Sequence, residues 1–163
     1  MRCYFLRHGL AGDREDWHDD DSLRPLTREG IKKMEREART IAQLDLKLDA
    51  IVSSPLVRAR QTAEIVAKKL KIRDRLTEDA NLGLDFDLEH LAEVVGVHAG
   101  AGAIMLVGHD PSMSTTIGKL IGSASLEMKK GSLACVEILE GSPLGGQLIF
   151  LLPPTVLAAR VRR

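Results

Sequence analysis

Cys3-Tyr-Phe-Leu-Arg-His-Gly9 sets four apolar residues directly before a guanidinium, an imidazole and a glycine. A short apolar run of this kind is typical of a strand buried on both faces, as in parallel sheets. Ala50 to Val52 and Ile104 to Val107 repeat the pattern. Each run is followed within a few residues by a helix-period pattern, and strands alternating with helices specify an α/β fold.

Working outward, Thr27 can cap a helix whose apolar face carries Ile31, Met34, Ala38, Ile41 and Leu44, with Arg28, Glu29, Lys32, Lys33 and Glu35 on the wet side. Ser54-Pro55 marks a second start, with Pro at the first helical position and Ala59, Ala63, Val66, Ala67 and Leu70 as the apolar stripe. A third helix is expected from near Asp87 to His98 and a fourth from Pro111 to about Ile121. After Gly122 the pattern changes to two strand-like segments, Ser132 to Leu139 and Gln147 to Leu152, which read as a hairpin joined by Glu140 to Gly146. Pro153-Pro154 ends the last strand, and Thr155 to Arg163 reads as a short helix or a frayed tail. The acidic stretch Asp13 to Asp21 is expected to be an exposed loop. With no repeat and no composition shift, residues 1–163 read as a single domain.

Lys plus Arg and Asp plus Glu cancel at 23 each, which argues against nucleic-acid or anionic-membrane binding through bulk charge, so any anion recognition must be local. Aromatics at 3% leave few stacking platforms for single-stranded nucleic acid. Cys3 and Cys135 stand far apart in apolar runs, which suits buried thiols and not a zinc site. Arg7 interrupts the first apolar stretch too soon for a signal-peptide core, and no window approaches a membrane span, so a cytoplasmic location is expected.

The chemistry is expected at the carboxyl ends of the strands, where open α/β sheets bind their ligands. Arg7 and His8 follow the first strand, Ser54 to Arg58 the second, and Gly108-His109-Asp110 the run ending at Val107. Singly, each has a bland reading: a helix-surface cation for Arg58, a loop histidine for His8 or His109. Together they place two arginines and two histidines on one edge. Two guanidinium forks suit a phosphoryl group, a neutral imidazole is a nucleophile near pH 7, and a second, protonated imidazole would stabilise charge on the equatorial oxygens. Helix starts near Pro55 and Pro111 add N–H groups at the same edge. A metal site built on His8, His109 and the acidic loop is disfavoured by the absence of HxH or HExxH spacing and by the two arginines, so no metal or cofactor is expected.

Leu6-Arg-His-Gly9, Leu26-Thr-Arg-Glu-Gly30, Ser53-Ser-Pro-Leu-Val-Arg-Ala-Arg-Gln-Thr-Ala63, Val107-Gly-His-Asp-Pro111 and Leu151-Leu-Pro-Pro-Thr-Val-Leu157 resemble, in order, the histidine phosphatase superfamily, the phosphoglycerate-mutase-like group, and within it the short SixA-like phosphohistidine phosphatases. The resemblance implies a three-layer sandwich with a mostly parallel central sheet and helices on both faces. It also implies His8 as nucleophile, Arg7 and Arg58 as phosphate ligands and His109 as the second histidine; Arg60 matches no site position and reads as surface. The proton donor stays open: Asp110 resembles the His-Asp pair of the acid-phosphatase branch, whereas the mutase branch places a Glu after the second helix, for which Glu78 or Asp79 would be nearest, with Asp13 a further candidate.

The expected function is phosphatase chemistry through a phosphohistidine on His8, with a phosphohistidine-bearing protein as the partner. A small-molecule phosphomonoesterase acting on a sugar phosphate or nucleotide is the alternative, and a mutase or a non-catalytic phosphate-binding module ranks lower.

Overall fold

The computed structural model describes residues 1–139, 141 and 144–159. Six strands, β1 (Arg2–Arg7), β2 (Ala50–Ser53), β3 (Leu76–Glu78), β4 (Ala103–Gly108), β5 (Leu133–Leu139) and β6 (Gly145–Leu152), form one sheet in the order β3-β2-β4-β1-β5-β6. The first four positions in that order pair in parallel, and β5 and β6 add an antiparallel edge. Helices α1 (Arg28–Gln43), α2 (Val57–Leu70) and α5 (Pro154–Leu157) cover one face, and α3 (Leu88–Val97) and α4 (Ser112–Leu120) the other.

The period-two alternation of strand side chains divides the core between these layers. Tyr4, Leu6, Ile51, Met105 and Val107 pack with Met34, Ala38 and Ile41 of α1 and Ala59, Ala63 and Val66 of α2. Cys3, Phe5, Val52, Ile104 and Leu106 pack with Leu91 of α3 and Met113 and Ile117 of α4. Both layers bury their central strands, hence the continuous apolar runs. The chain is therefore a mixed α/β three-layer sandwich, and Cys3 and Cys135 are buried free thiols within it. No helix among the described residues is long and apolar enough to cross a membrane.

Several local expectations change. Thr27 caps α1, accepting the Gly30 N–H at 2.9 Å, but the buried face is Gly30, Met34, Glu37, Ala38 and Ile41. Ile31 lies about 100° around the helix from Gly30 and is exposed, and Leu44 is its exposed C-cap. Helix α2 begins at Val57, capped by Leu56, so Pro55 precedes the helix and is not its first residue. Strand β3 was not anticipated, because three residues with only Leu76 half-buried carry no apolar run, and Glu78 ends this strand where a loop was expected. In the β5–β6 connection residues 140, 142 and 143 lie outside the described residues, as do 160–163 of the tail; α5 occupies the tail's start.

Candidate active site

Parallel register brings the site together. Arg7 pairs with Gly108, so the residues one step beyond, His8 and His109, emerge side by side where β1 and β4 end. The His8 N–H donates to the Gly108 carbonyl at 3.0 Å and the Ser54 N–H to the Val107 carbonyl at 2.9 Å, tying all three strand ends together. Gly9 follows without room for a side chain: a Cβ there would collide with Met34. Its N–H instead reaches the Thr62 hydroxyl at 3.0 Å, and that hydroxyl donates to the Arg58 carbonyl at 2.8 Å, so α2 is locked to the end of β1.

The imidazoles of His8 and His109 are buried with ring centroids 5.2 Å apart. His8 Nδ1 lies 2.7 Å from the Gly9 carbonyl. A carbonyl only accepts, so Nδ1 holds the proton and Nε2 keeps its lone pair. His109 is held by its other nitrogen: Nε2 lies 2.8 Å from Ser54 Oγ. Burial pushes His8 down to about 3, with His109, Arg58 and Arg7 nearby adding to the effect. Burial likewise lowers His109 to about 4, reinforced by Arg58 and Arg7 and opposed by Asp21. Burial beside two guanidiniums thus favours the neutral form of both rings, against the positive charge expected on the second imidazole.

Arg58, in the first turn of α2, is 3% exposed. Its Nη1 donates to the Asp21 carbonyl at 2.8 Å and its Nη2 to Asp21 Oδ2 at 3.0 Å. The same carboxylate accepts from Arg24 Nε at 2.9 Å. Asp21 is therefore not part of a free loop, as the acidic run suggested, but the side chain that aims Arg58. Arg7 donates to the Met128 carbonyl through Nη1, which also lies 3.8 Å from Asp110 Oδ2. Asp110 Oδ1 accepts the Ser114 N–H at 3.2 Å in the first turn of α4.

Three buried polar atoms here have no hydrogen-bond partner among the described residues: Arg7 Nε, Arg58 Nε and His109 Nδ1. A buried donor without an acceptor costs about 1–3 kcal/mol, so the two guanidinium Nε–H groups, with a ring nitrogen of His109 beside them that donates in one of its two tautomers, mark a place built to take an acceptor-rich anion. The set offers a lone pair on His8 Nε2, two guanidiniums and a second imidazole.

The structure thus gathers Arg7, His8, Arg58, His109 and Asp110. It does not gather the other carboxylates: Glu78 is exposed and 3.6 Å from the half-buried Arg60, Asp79 accepts the Asn81 N–H, and Asp13 is exposed. Sequence reasoning missed Asp21, Ser54 as the partner of His109, and Thr62. The Arg58-x-x-x-Thr62 spacing, one turn of α2 beside an apolar stripe, was the available signal for Thr62.

Fold and geometry define the class: an α/β protein with a buried cationic pocket at the carboxyl edge of its sheet. The family model of the histidine phosphatase superfamily (branch 1) matches residues 3–83, the stretch holding Arg7, His8 and Arg58. An uncharacterized protein of the cyanobacterium Picosynechococcus is 49% identical over 67 residues, 41% of this chain and 40% of its own length. The mitochondrial serine/threonine-protein phosphatase Pgam5 of Drosophila yakuba is 35% identical over 66 residues, 40% of this chain, and the match spans only 22% of that protein. Among solved structures, the protein histidine phosphatase SixA complexed with tungstate superposes with a TM-score of 0.84 at 22% identity, covering 95% of this chain and 98% of that one. The α-ribazole phosphatase of Shigella flexneri gives 0.73 at 18% identity, covering 100% of both chains. These structures share the fold.

Proposed function

We propose that the protein is a phosphatase working through a covalent phosphohistidine on His8, and that its substrate is phosphohistidine in a protein. The observation that carries this reading is the His8 ring, its proton fixed on Nδ1 by the Gly9 carbonyl, beside the buried Arg7 and Arg58 Nε donors and His109 Nδ1, none of which has a partner among the described residues. Arg7 and Arg58 hold the non-bridging oxygens of the phosphoryl group. The His8 Nε2 lone pair attacks phosphorus, forming a P–N bond as the bond to the leaving group breaks in line. For His109 Nδ1–H to donate to the equatorial oxygens, Ser54 must donate its hydroxyl proton to Nε2, and the anion itself favours the proton on His109. Asp110, beside Arg7, gives a proton to an alkoxide leaving group; an imidazole leaving group needs less help. Water, giving a proton back to Asp110, then cleaves the P–N bond, releasing inorganic phosphate and restoring His8.

A protein substrate is supported by the likeness to SixA, a protein histidine phosphatase by its name, and by the partial match to Pgam5. Purified protein should hydrolyse an aryl phosphate in the presence of EDTA and yield an acid-labile, base-stable phosphoenzyme on rapid quench. His8→Ala should do neither; turnover that survives in that variant would remove His8 as nucleophile. Comparing kcat/KM on phosphohistidine peptides, sugar phosphates and nucleotides then ranks the substrates, and a preference for either of the latter two would replace the protein substrate by a small molecule.

A further inference from the structure

The pocket has a cationic floor and an acidic rim, and the rim comes from two unrelated segments. The first is the loop between β1 and α1. It leaves the pocket after Gly9 and returns at Asp21, whose carboxylate clamps Arg58, while Arg24 ties Asp21 to the Gly12 carbonyl. Between these pins Asp13, Glu15, Asp16, Asp19 and Asp20 are all exposed, with Arg14 the sole Lys or Arg. None of them is more than four residues from Gly12 or Asp21, so none lies farther than about 14 Å from a pinned end.

The second segment follows β3. Its Leu82 carbonyl packs against Gly108, immediately before His109, and residues 78–87 carry Glu78, Asp79, Asp85 and Asp87 without a Lys or Arg. Leu23 and Leu84, each 56% exposed, add one large apolar side chain to either wall. The basic residues beside these segments are Arg14 in the loop and Arg60, 3.6 Å from Glu78, while on the Arg7 side Lys129 and Lys130 follow Met128, whose carbonyl holds Arg7. Independently of the rim, the unpartnered Nε of Arg58, a side chain clamped by the acidic loop's own Asp21, marks the anion the rim surrounds.

From this arrangement we infer that the substrate is a phosphoryl group on a basic protein segment, with Lys or Arg near the phosphorylated residue, and that polyanionic small molecules such as nucleotides and bisphosphates are selected against. The inference rests on the phosphatase reading and names its substrate class. The floor neutralises the phosphoryl group alone. Further negative charge on the substrate meets the carboxylates of both walls, whereas positive charge is attracted by them, and the exposed leucines offer a polypeptide apolar contact. Rim charges of this sort act on encounter and discrimination and weaken with salt.

The test compares peptides bearing one phosphohistidine flanked by Lys and Arg with the same peptides flanked by Asp and Glu, in about 20 mM and about 500 mM NaCl, with p-nitrophenyl phosphate alongside. At low salt kcat/KM should favour the basic peptide by at least ~10-fold, and the preference should shrink at high salt. The combined variant Asp13→Asn, Glu15→Gln, Asp16→Asn, Asp19→Asn and Asp20→Asn should lose most of the preference while p-nitrophenyl phosphate turnover stays within about twofold. Equal rates on both peptides, or faster turnover of nucleotides than of the basic peptide, would overturn the inference. Affinity of the His8→Ala protein for the two peptides reads the same preference without turnover. A protein that binds basic peptides better yet hydrolyses nothing would sink the phosphatase reading alone, and one that hydrolyses p-nitrophenyl phosphate without charge preference would sink this inference alone.

Discussion

His8 and His109 occupy matching places, one residue past neighbouring parallel strands, buried to the same degree and lowered for the same reasons, yet they are fastened by opposite nitrogens to partners of different kind. A backbone carbonyl holds His8, can only accept, and so leaves one tautomer. A hydroxyl holds His109, can donate or accept, and so lets the proton sit on either nitrogen. In the proposed mechanism that difference separates a ring that must always present a lone pair from one that must present a proton when an anion arrives. Identical burial does not make identical chemistry; the atom at the back of each ring does.

The comparison breaks most sharply under substitution by Asn, which keeps an amide donor but has no ring nitrogen lone pair. His8→Asn should abolish the phosphoenzyme and reduce turnover by ~10⁴-fold or more, whereas His109→Asn should retain a measurable phosphoenzyme with a loss on the order of 10²- to 10³-fold, the usual range for one oxyanion donor. Single-turnover quench with a labelled phosphodonor checks both, and equal losses without phosphoenzyme in either variant would end the division of roles. Next in size is Asp110→Asn. As a general acid its loss should cost ~10²- to 10⁴-fold on an alkyl phosphate but less than about tenfold on phosphohistidine. Losses of equal size would give Asp110 a purely positional part, consistent with its ion pair with Arg7 and the Ser114 N–H it accepts.

Ser54→Ala tests the back of the His109 ring. It should lower kcat by about tenfold with little change in KM, since the bond matters when the ring must donate. Ser54→Thr should restore most of the rate. A pure KM effect, or no rescue by Thr, would mean that Ser54 merely fills space beside Leu56.

The sequence showed much of this because apolar runs and strand-end chemistry are local signals: three runs placed three strands, and their carboxyl ends located Arg7, His8, Arg58, His109 and Asp110. What stayed hidden depends on contacts far apart in the chain. Asp21 looks like one more acid in a solvated run until the loop folds back 37 residues to Arg58. Strand β3 is too short for a pattern and exists because β2 has a free edge to pair with. Glu37 violates the helix's own polarity, and no periodicity argument would bury a carboxyl.

Glu37 also stands behind only one of the two histidines, and that asymmetry yields the smallest expected effect. It is 3% exposed on the inner face of α1, with Oε2 lacking a partner, against Gly131, whose φ of +86° and missing side chain make space for it. The Gly131 N–H in turn lies 3.2 Å from both the Arg7 and the His8 carbonyls. Burial raises the Glu37 carboxyl to about 7, against an opposing influence of Lys33 and Arg36. Between pH ~4.5 and 7 the unfolded chain therefore loses a proton that the folded one keeps, so this contribution to stability is full below the ordinary carboxyl range and is lost as pH rises toward 7. The lowered histidines act in the other direction: their contribution is full above about 6.5 and is lost as pH falls toward 3 to 4. Glu37→Gln, an isostere of the protonated acid, should raise Tm by roughly 3–5 °C at pH 8 and leave it unchanged near pH 4, while the acid-side decline set by His8 and His109 persists. Thermal melts across that range decide it: a variant whose Tm falls equally at every pH would show that the carboxyl is held by interactions its burial does not penalise, and the contrast between the two sides of the pocket would then rest on the ring partners alone.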